Sequence, residues 1–208
     1  MSKPPQTLLR KPLTVLLLNL LLSCMAVADE RFIIGVDTHL MNKSSSSAKA
    51  LQLLEEAGVD SVRDDAYWST AEQRRGQLRI DPAWQAYLSK AREHRLRPLL
   101  VLGYGNPNYG NYAKPRYPPI KEAFGNYVNF VSQELTDSVD FYEIWNEWDL
   151  EAPKDPQLSA DYATLVREAV PLIRKNTTQV NGTPAKILAG SVTPEGMDHG
   201  FADRLIDA

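Results

Sequence analysis

From residue 31 to the end of this 208-residue chain, short apolar runs alternate with amphipathic stretches of helical period, and no break in composition interrupts the alternation. The runs at 32–36, 60–63, 99–102, 141–145 and 186–190 read as strands. The stretches between them read as helices. Serines at 44–47 cap a helix carrying Ala50, Leu51, Leu54 and Ala57, which Gly58 stops. Asp81-Pro82 is an N-cap followed by a proline suited to the first helical position, and Trp84, Tyr87, Leu88 and Ala91 then fall on one face. Ile120, Phe124, Tyr127, Val128 and Val131 form the next stripe. Tyr162, Leu165, Val166, Ala169 and Ile173 form another, with Ser159 as the expected cap, and 201–208 opens a last helix. Such stripes are core faces, not cofactor boxes. Five βα units in series require a parallel sheet covered by helices, and the two common solutions are an open doubly wound sheet and a closed eight-stranded barrel.

A doubly wound nucleotide binder carries Gly-x-Gly-x-x-Gly after its first strand, whereas Gly35-Val-Asp37 leads into serine-rich sequence. The glycines at 103, 105 and 110 have the wrong spacing, and Pro107, Pro115, Pro118 and Pro119 delay the next helix. That stretch is a long loop. Polar and aromatic residues instead gather where strands end: Asp37 and His39, then Arg63, Asp64 and Asp65, then Tyr104 and Asn106, then Asn146 and Glu147. A (β/α)8 barrel builds its site there. The expected fold is therefore α/β, a (β/α)8 TIM barrel of which about the first five βα units are present, in a single domain over residues 29–208.

Asn146-Glu147 closes the apolar fourth strand, between Trp145 and Trp148. Cleaving a glycosidic bond takes one carboxylic acid to protonate the departing oxygen, a second carboxylate across the sugar, and a polar grip on the hydroxyl beside the reacting carbon. Glu147 suits the acid and Asn146 the grip. The tryptophans offer flat apolar faces that suit pyranose rings. Strict strand alternation forbids both Asn146 and Glu147 from facing one site, so a bulge or a strand end is required there. Arg63, inside a barrel, needs a partner; a bridge to Asp64 or Asp65 is its bland alternative. Tyr104, Tyr109, Tyr112 and Tyr117 form either a sugar-stacking wall or pins for their loop. If the chain were an inverting enzyme complete in itself, Asp64, Asp65, Asp149 and Glu151 are the candidates for the second carboxylate.

With Trp145-Asn146-Glu147-Trp148 on strand four, Gly35-Val-Asp-Thr-His39 on strand one and Val62-Arg63-Asp64 near Trp68, residues 31–208 resemble the retaining (β/α)8 glycoside hydrolases of clan A, and within it family 39-like enzymes. The resemblance implies that Glu147 is the general acid/base and that Asn146 bonds the substrate 2-hydroxyl. It implies that Arg63 supports the nucleophile and that His39 lines the innermost sugar site; Tyr104 and Trp148 complete the expected substrate-binding set. The clan's nucleophile is a glutamate at the end of strand seven, and this sequence stops before strand six, so no residue here takes that role. A five-stranded piece of a barrel exposes two strand edges, and the isolated chain is expected to be poorly stable. The competing reading is a non-catalytic carbohydrate-binding or degenerate barrel without a nucleophile.

Lys3, Arg10 and Lys11 precede the apolar run 13–22, and Ala26-Val27-Ala28 follows, the pattern of a secretory signal peptide over 1–28. The run is shorter than the roughly 20 residues a spanning helix needs. Secretion or a periplasmic address is expected, with no integral membrane span in the mature chain. A second reading makes Cys24, the only cysteine, the acylated N-terminus of a lipoprotein, although Leu22 fits that cleavage box poorly. Losing the leader moves the formal charge from −3 to −6, which argues against a nucleic-acid partner. His39, His94 and His199 lack ligand spacing, so neither a metal nor another cofactor is expected, and the partner is a poly- or oligosaccharide. Asn42, Asn176 and Asn181 begin glycosylation sequons.

Overall fold

The computed structural model describes residues 32–43, 47–110, 113–150, 154–181 and 185–208. The expected leader over 1–28, Cys24, the serines at 44–46, Tyr112 and Glu151 lie outside the described residues. The folded unit runs from Ile33 to Ala208. In chain order it contains β1 (Gly35–Asp37), α1 (Ser47–Glu56), β2 (Ser61–Tyr67), α2 (Trp68–Ala71), α3 (Pro82–Glu93) and β3 (Arg97–Gly103). After a 3-10 turn at Pro107–Tyr109 come α4 (Pro118–Glu134), β4 (Phe141–Ile144), α5 (Pro156–Asn181), β5 (Lys186–Ala189), α6 (Pro194–Asp198) and α7 (Phe201–Ile206). The strands form one sheet in the order β1-β2-β3-β4-β5, every neighbouring pair parallel. Among the described residues no helix is long and apolar enough to cross a membrane.

Strand alternation divides the sheet chemically. Val62, Ala66, Leu100, Leu102, Tyr142 and Ile144 point to the helix side and belong to the hydrophobic core. There they meet the stripes read from the sequence: Trp84 and Leu88 of α3, Phe124 and Tyr127 of α4, and Tyr162 and Ile173 of α5 are all buried. Register places Arg63 beside Leu99 and Phe141, and Asp65 beside Val101 and Glu143, on the opposite, barrel-interior face. A charged row among apolar ones is affordable only if its members pair with each other.

Several element boundaries differ from the sequence reading, β1 and β3 among them, and two of the differences bear on residues singled out there. β2 runs four residues beyond Arg63, so that Asp64 and Asp65 lie inside the strand and not past its end. Asp64 is buried, yet its carboxylate accepts from the backbone N–H groups of Leu40 (2.6 Å) and Met41 (3.0 Å) and from the Thr38 hydroxyl (2.8 Å). Helix α5 starts at Pro156, not at a cap on Ser159. Asp155 accepts from the Gln157 N–H at 2.9 Å ahead of Pro156, the same Asp-Pro start that Asp81 makes for α3. Ser159 is buried one turn inside.

Of the sequons, Asn42 and Asn176 commit their amide nitrogens to protein acceptors: Asn42 to the Asp65 carbonyl (2.8 Å), Asn176 to the Asn129 carbonyl (2.9 Å) and the Ser132 hydroxyl (2.8 Å). The buried tyrosines make a paired test of the core. Tyr127 donates to the Ala66 carbonyl and Tyr162 to the Ile144 carbonyl, whereas the Tyr142 hydroxyl, pushed above its usual pKa by burial, has no hydrogen-bond partner among the described residues. Removing a buried hydroxyl that has no partner relieves a desolvation cost, so Tyr142→Phe is expected to leave stability level or raise it by about 1 kcal/mol, while Tyr127→Phe lowers it by about 1–2 kcal/mol. Urea midpoints of the two variants check the difference in sign.

Candidate active site

At the C-terminal end of β4 the chain continues the ladder for one more residue, with the Trp145 N–H donating to the Leu102 carbonyl at 2.9 Å, and then leaves the sheet. Trp145 (φ 64°) and Glu147 (φ 46°) both adopt left-handed backbone, a conformation that L-residues take only at some cost. This double reversal lets the consecutive side chains of Asn146 and Glu147 escape strict alternation, as the sequence required. The backbone is held from the neighbouring strand: the Glu147 N–H donates to the Ser191 carbonyl at 3.0 Å. Gly190 allows that approach, since a Cβ there would lie 2.3 Å from the Trp145 carbonyl oxygen.

Arg63 organises the interior face. Its Nε and Nη2 form a fork on the two oxygens of Glu143 (2.7 and 3.0 Å), Nη1 meets Asp37 (2.7 Å), and Nη2 also donates to Asn146 Oδ1 at 2.9 Å. The Glu143 hydrogen bonds hold the guanidinium pKa above its ordinary value. The expected bland partners Asp64 and Asp65 are corrected: Asp64 faces the helix side and caps the turn after β1, and the ion pairs of Arg63 are to Glu143 and Asp37. Asn146 Oδ1 accepts from both Arg63 and the Ser191 hydroxyl. The guanidinium, which can only donate, fixes the amide orientation and leaves Nδ2 as the donor on the Tyr104 side of the cleft.

His39 (φ 47°) stands at the rim, 57% exposed, with Nδ1 3.1 Å from Asp65 Oδ2 and Nε2 3.6 Å from Asp37. Asp65 also accepts from the hydroxyls of Tyr67 (3.3 Å) and Tyr104 (3.4 Å). Burial raises the Asp65 pKa, and His39 opposes that rise. Tyr104, pushed up first by burial and then by the Asp65 charge, lines a cleft of about 240 Å3 together with Lys114, Trp145, Asn146, Glu147 and Leu150. The fold thus brings Glu147, Asn146, Tyr104, Arg63 and His39 to one end of the sheet.

Trp148 is not with them. Its ring is 1% exposed, stacks on Tyr162 with centroids 5.2 Å apart, and donates Nε1–H to the Leu158 carbonyl at 3.0 Å, so it offers no face to a sugar. Asn106 is also structural, donating to the carbonyls of Trp68 (3.3 Å) and Glu72 (2.9 Å). Of the described loop tyrosines, Tyr109 stacks on Trp68 and bonds Glu72 as a pin, Tyr117 is exposed ahead of α4, and Tyr104 lines the cleft. Asp149, a candidate second carboxylate, is fully buried and accepts from the N–H and hydroxyl of Thr193. Sequence reasoning passed over Glu143 and Ser191. Glu143 had a signal, a charge in mid-strand spaced from Asn146-Glu147 so as to face the barrel interior. Ser191 had none.

No family model matches the sequence, and no curated protein matches it. Solved structures do. The chain superposes on a family 39 glycoside hydrolase from the gut symbiont Bacteroides cellulosilyticus WH2 with a TM-score of 0.63 at 23% identity, covering 75% of this chain and 31% of that one. It superposes on the exo-β-1,4-mannosidase Op5Man5 from Opitutaceae bacterium strain TAV5 with a TM-score of 0.60 at 20% identity, covering 80% of this chain and 34% of that one. For the family 5 glycoside hydrolase PbGH5A from Prevotella bryantii B14 the TM-score is 0.59 at 14% identity, covering 81% of this chain and 58% of that one. The chain spans about a third of the length of the first two. In fold, it carries the first five βα units of the (β/α)8 barrel that these glycoside hydrolases share.

Proposed function

We propose that the chain is the N-terminal part of an exported glycoside hydrolase that cleaves O-glycosidic bonds of a poly- or oligosaccharide by a retaining, two-carboxylate mechanism. The observation that carries the reading is the reversed backbone after β4, which turns Asn146 and Glu147 toward one cleft, with the Asn146 oxygen tied down and its nitrogen left to donate. In the first step the Glu147 carboxylic acid gives its proton to the departing glycosidic oxygen while a second carboxylate attacks the anomeric carbon and forms a glycosyl ester. In the second step Glu147, now a carboxylate, takes a proton from water as the water displaces that ester. Asn146 Nδ2 donates to the sugar 2-hydroxyl oxygen, and Arg63 and His39 bound the sugar on the β1 and β2 side. Among the described residues the other carboxylates at this end, Asp37, Asp65 and Glu143, are engaged by Arg63, His39 or tyrosines. The nucleophile is assigned, as the resemblance implies, to a later strand of the barrel, outside these 208 residues. Export rests on the leader reading of residues 1–28.

The same engagement of nearby carboxylates favours a second reading, a sugar-binding barrel in which Glu147 has no nucleophile to work with. Proton NMR of the first product released by the barrel-length protein separates the two. Hydrolysis with retained anomeric configuration supports the proposal, inversion overturns the retaining mechanism, and retardation on an immobilised polysaccharide without any hydrolysis supports the binder.

A further inference from the structure

One residue that touches three members of this site is not used by the reaction. Ser191, immediately after β5, holds three groups on β4 at once: its N–H donates to Glu143 Oε1 at 3.0 Å, its hydroxyl donates to Asn146 Oδ1, and its carbonyl accepts the Glu147 N–H at 3.0 Å. Gly190 sets it there. The Gly190 N–H donates to the Tyr162 hydroxyl, which donates to the Ile144 carbonyl, and the absent Cβ lets the end of β5 press against the Trp145 carbonyl.

We infer that Ser191 is a positioning residue for the proposed reaction, whose hydroxyl holds the Asn146 amide, oriented by Arg63, in the place from which Nδ2 meets the substrate 2-hydroxyl. The inference rests on the proposed function. Its physical basis is a division of labour on Asn146 Oδ1: the Arg63 guanidinium can only donate and so decides which end of the amide is oxygen, while the Ser191 hydroxyl adds a second hydrogen bond to that oxygen. Arg63 sets the orientation, and Ser191 narrows the position of the group so oriented. The Ser191 main chain separately holds Glu147 in its left-handed conformation, which no side-chain substitution removes. The hydroxyl therefore acts through Asn146 alone, and that makes the assignment separable.

The test is a double-mutant cycle in the barrel-length enzyme. Ser191→Ala is expected to lower kcat about fivefold to tenfold, with KM nearly unchanged, the size of effect that losing one neutral hydrogen bond to a positioning group gives. In an Asn146→Ala background the same change should cost nothing, and on a 2-deoxy glycoside it should cost nothing in either background. Ser191→Thr, which keeps the hydroxyl, should restore the rate, and the urea midpoint should stay where it was because the side chain is exposed. An equal loss from Ser191→Ala with and without Asn146 overturns the inference while leaving the proposed function standing. If Asn146→Ala itself costs nothing on a 2-hydroxy substrate, Asn146 is not the clamp, and both fall together.

Discussion

Replacing Glu147 by glutamine is expected to lower turnover on glycosides with poor leaving groups by about 10²- to 10⁴-fold, the range over which a positioned general acid contributes. The amide has nearly the shape of the acid and no proton to give, so binding and fold are preserved while the departing oxygen must leave as an alkoxide. An activated aryl glycoside does not need that proton. Its first step should proceed at close to the wild-type rate, after which the glycosyl ester accumulates because no base activates water. The signature is a burst of phenol followed by slow turnover, and a small anion such as azide, which needs no general base, should restore the second step. Stopped-flow release of the aryl group with and without azide reads both features. Equal losses on activated and unactivated substrates, with no burst and no rescue, would remove Glu147 from the role. The prediction rests on placement: Glu147 lines the cleft beside Tyr104 and Lys114, and its backbone is pinned at the Ser191 carbonyl, not held by its own side chain.

The sequence exposed the fold more fully than the site, for a physical reason. Strands and helices follow from periodicity, and the stripes containing Trp84, Phe124, Tyr127 and Tyr162 are buried as their spacing demanded. Asn146 and Glu147 were legible because an amide and a carboxylate after a largely apolar strand have few structural uses. Trp148 misled because aromatic residues flanking a site look alike whether they face the sugar or the core. One residue of left-handed backbone at Glu147 decides which, and that φ is not written in the local composition. Asp64 misled in the opposite direction. It reads as a strand-end carboxylate free to pair with Arg63 or to serve as the second carboxylate, yet it is a buried strand residue on which three donors from residues 38–41 converge, and those donors lie over twenty residues away. The partners of Arg63 were misassigned for the same reason. Its nearest carboxylates in sequence sit next to it on β2, while the one that pairs with it sits 80 residues on, two strands across the sheet. Ser159 is a simpler lapse, since Asp155-Pro156 carried the stronger helix-start signal.

The Arg63 network gives the largest expected effect on stability. Glu143 is 5% exposed at its side chain and Arg63 21%, so Glu143→Leu strips a forked, buried partner from a guanidinium that remains mostly out of water. Breaking a buried pair from one side typically costs 3–5 kcal/mol; here Arg63 keeps Asp37, Asn146 and some solvent, and a loss of about 2–4 kcal/mol is expected. Asp37 also bonds the same guanidinium at 2.7 Å, but at 40% exposure its charge is already hydrated, and Asp37→Asn is expected to cost less than about 1 kcal/mol. The asymmetry is the useful part of the prediction, because both carboxylates approach to 2.7 Å, while burial and the forked geometry of Glu143 separate them. Pairing Glu143→Leu with Arg63→Met should recover most of the loss, since the double variant leaves no stranded charge between β2 and β4. It should also stay catalytically poor, because Asn146 then keeps only the Ser191 donor. Urea titrations of the three variants decide the matter: equal costs for Glu143→Leu and Asp37→Asn, or no recovery in the double variant, would mean that the pair is not what holds these strands in place. A stable double variant with an empty active site would instead show that the charged row on this face is kept for chemistry and not for folding.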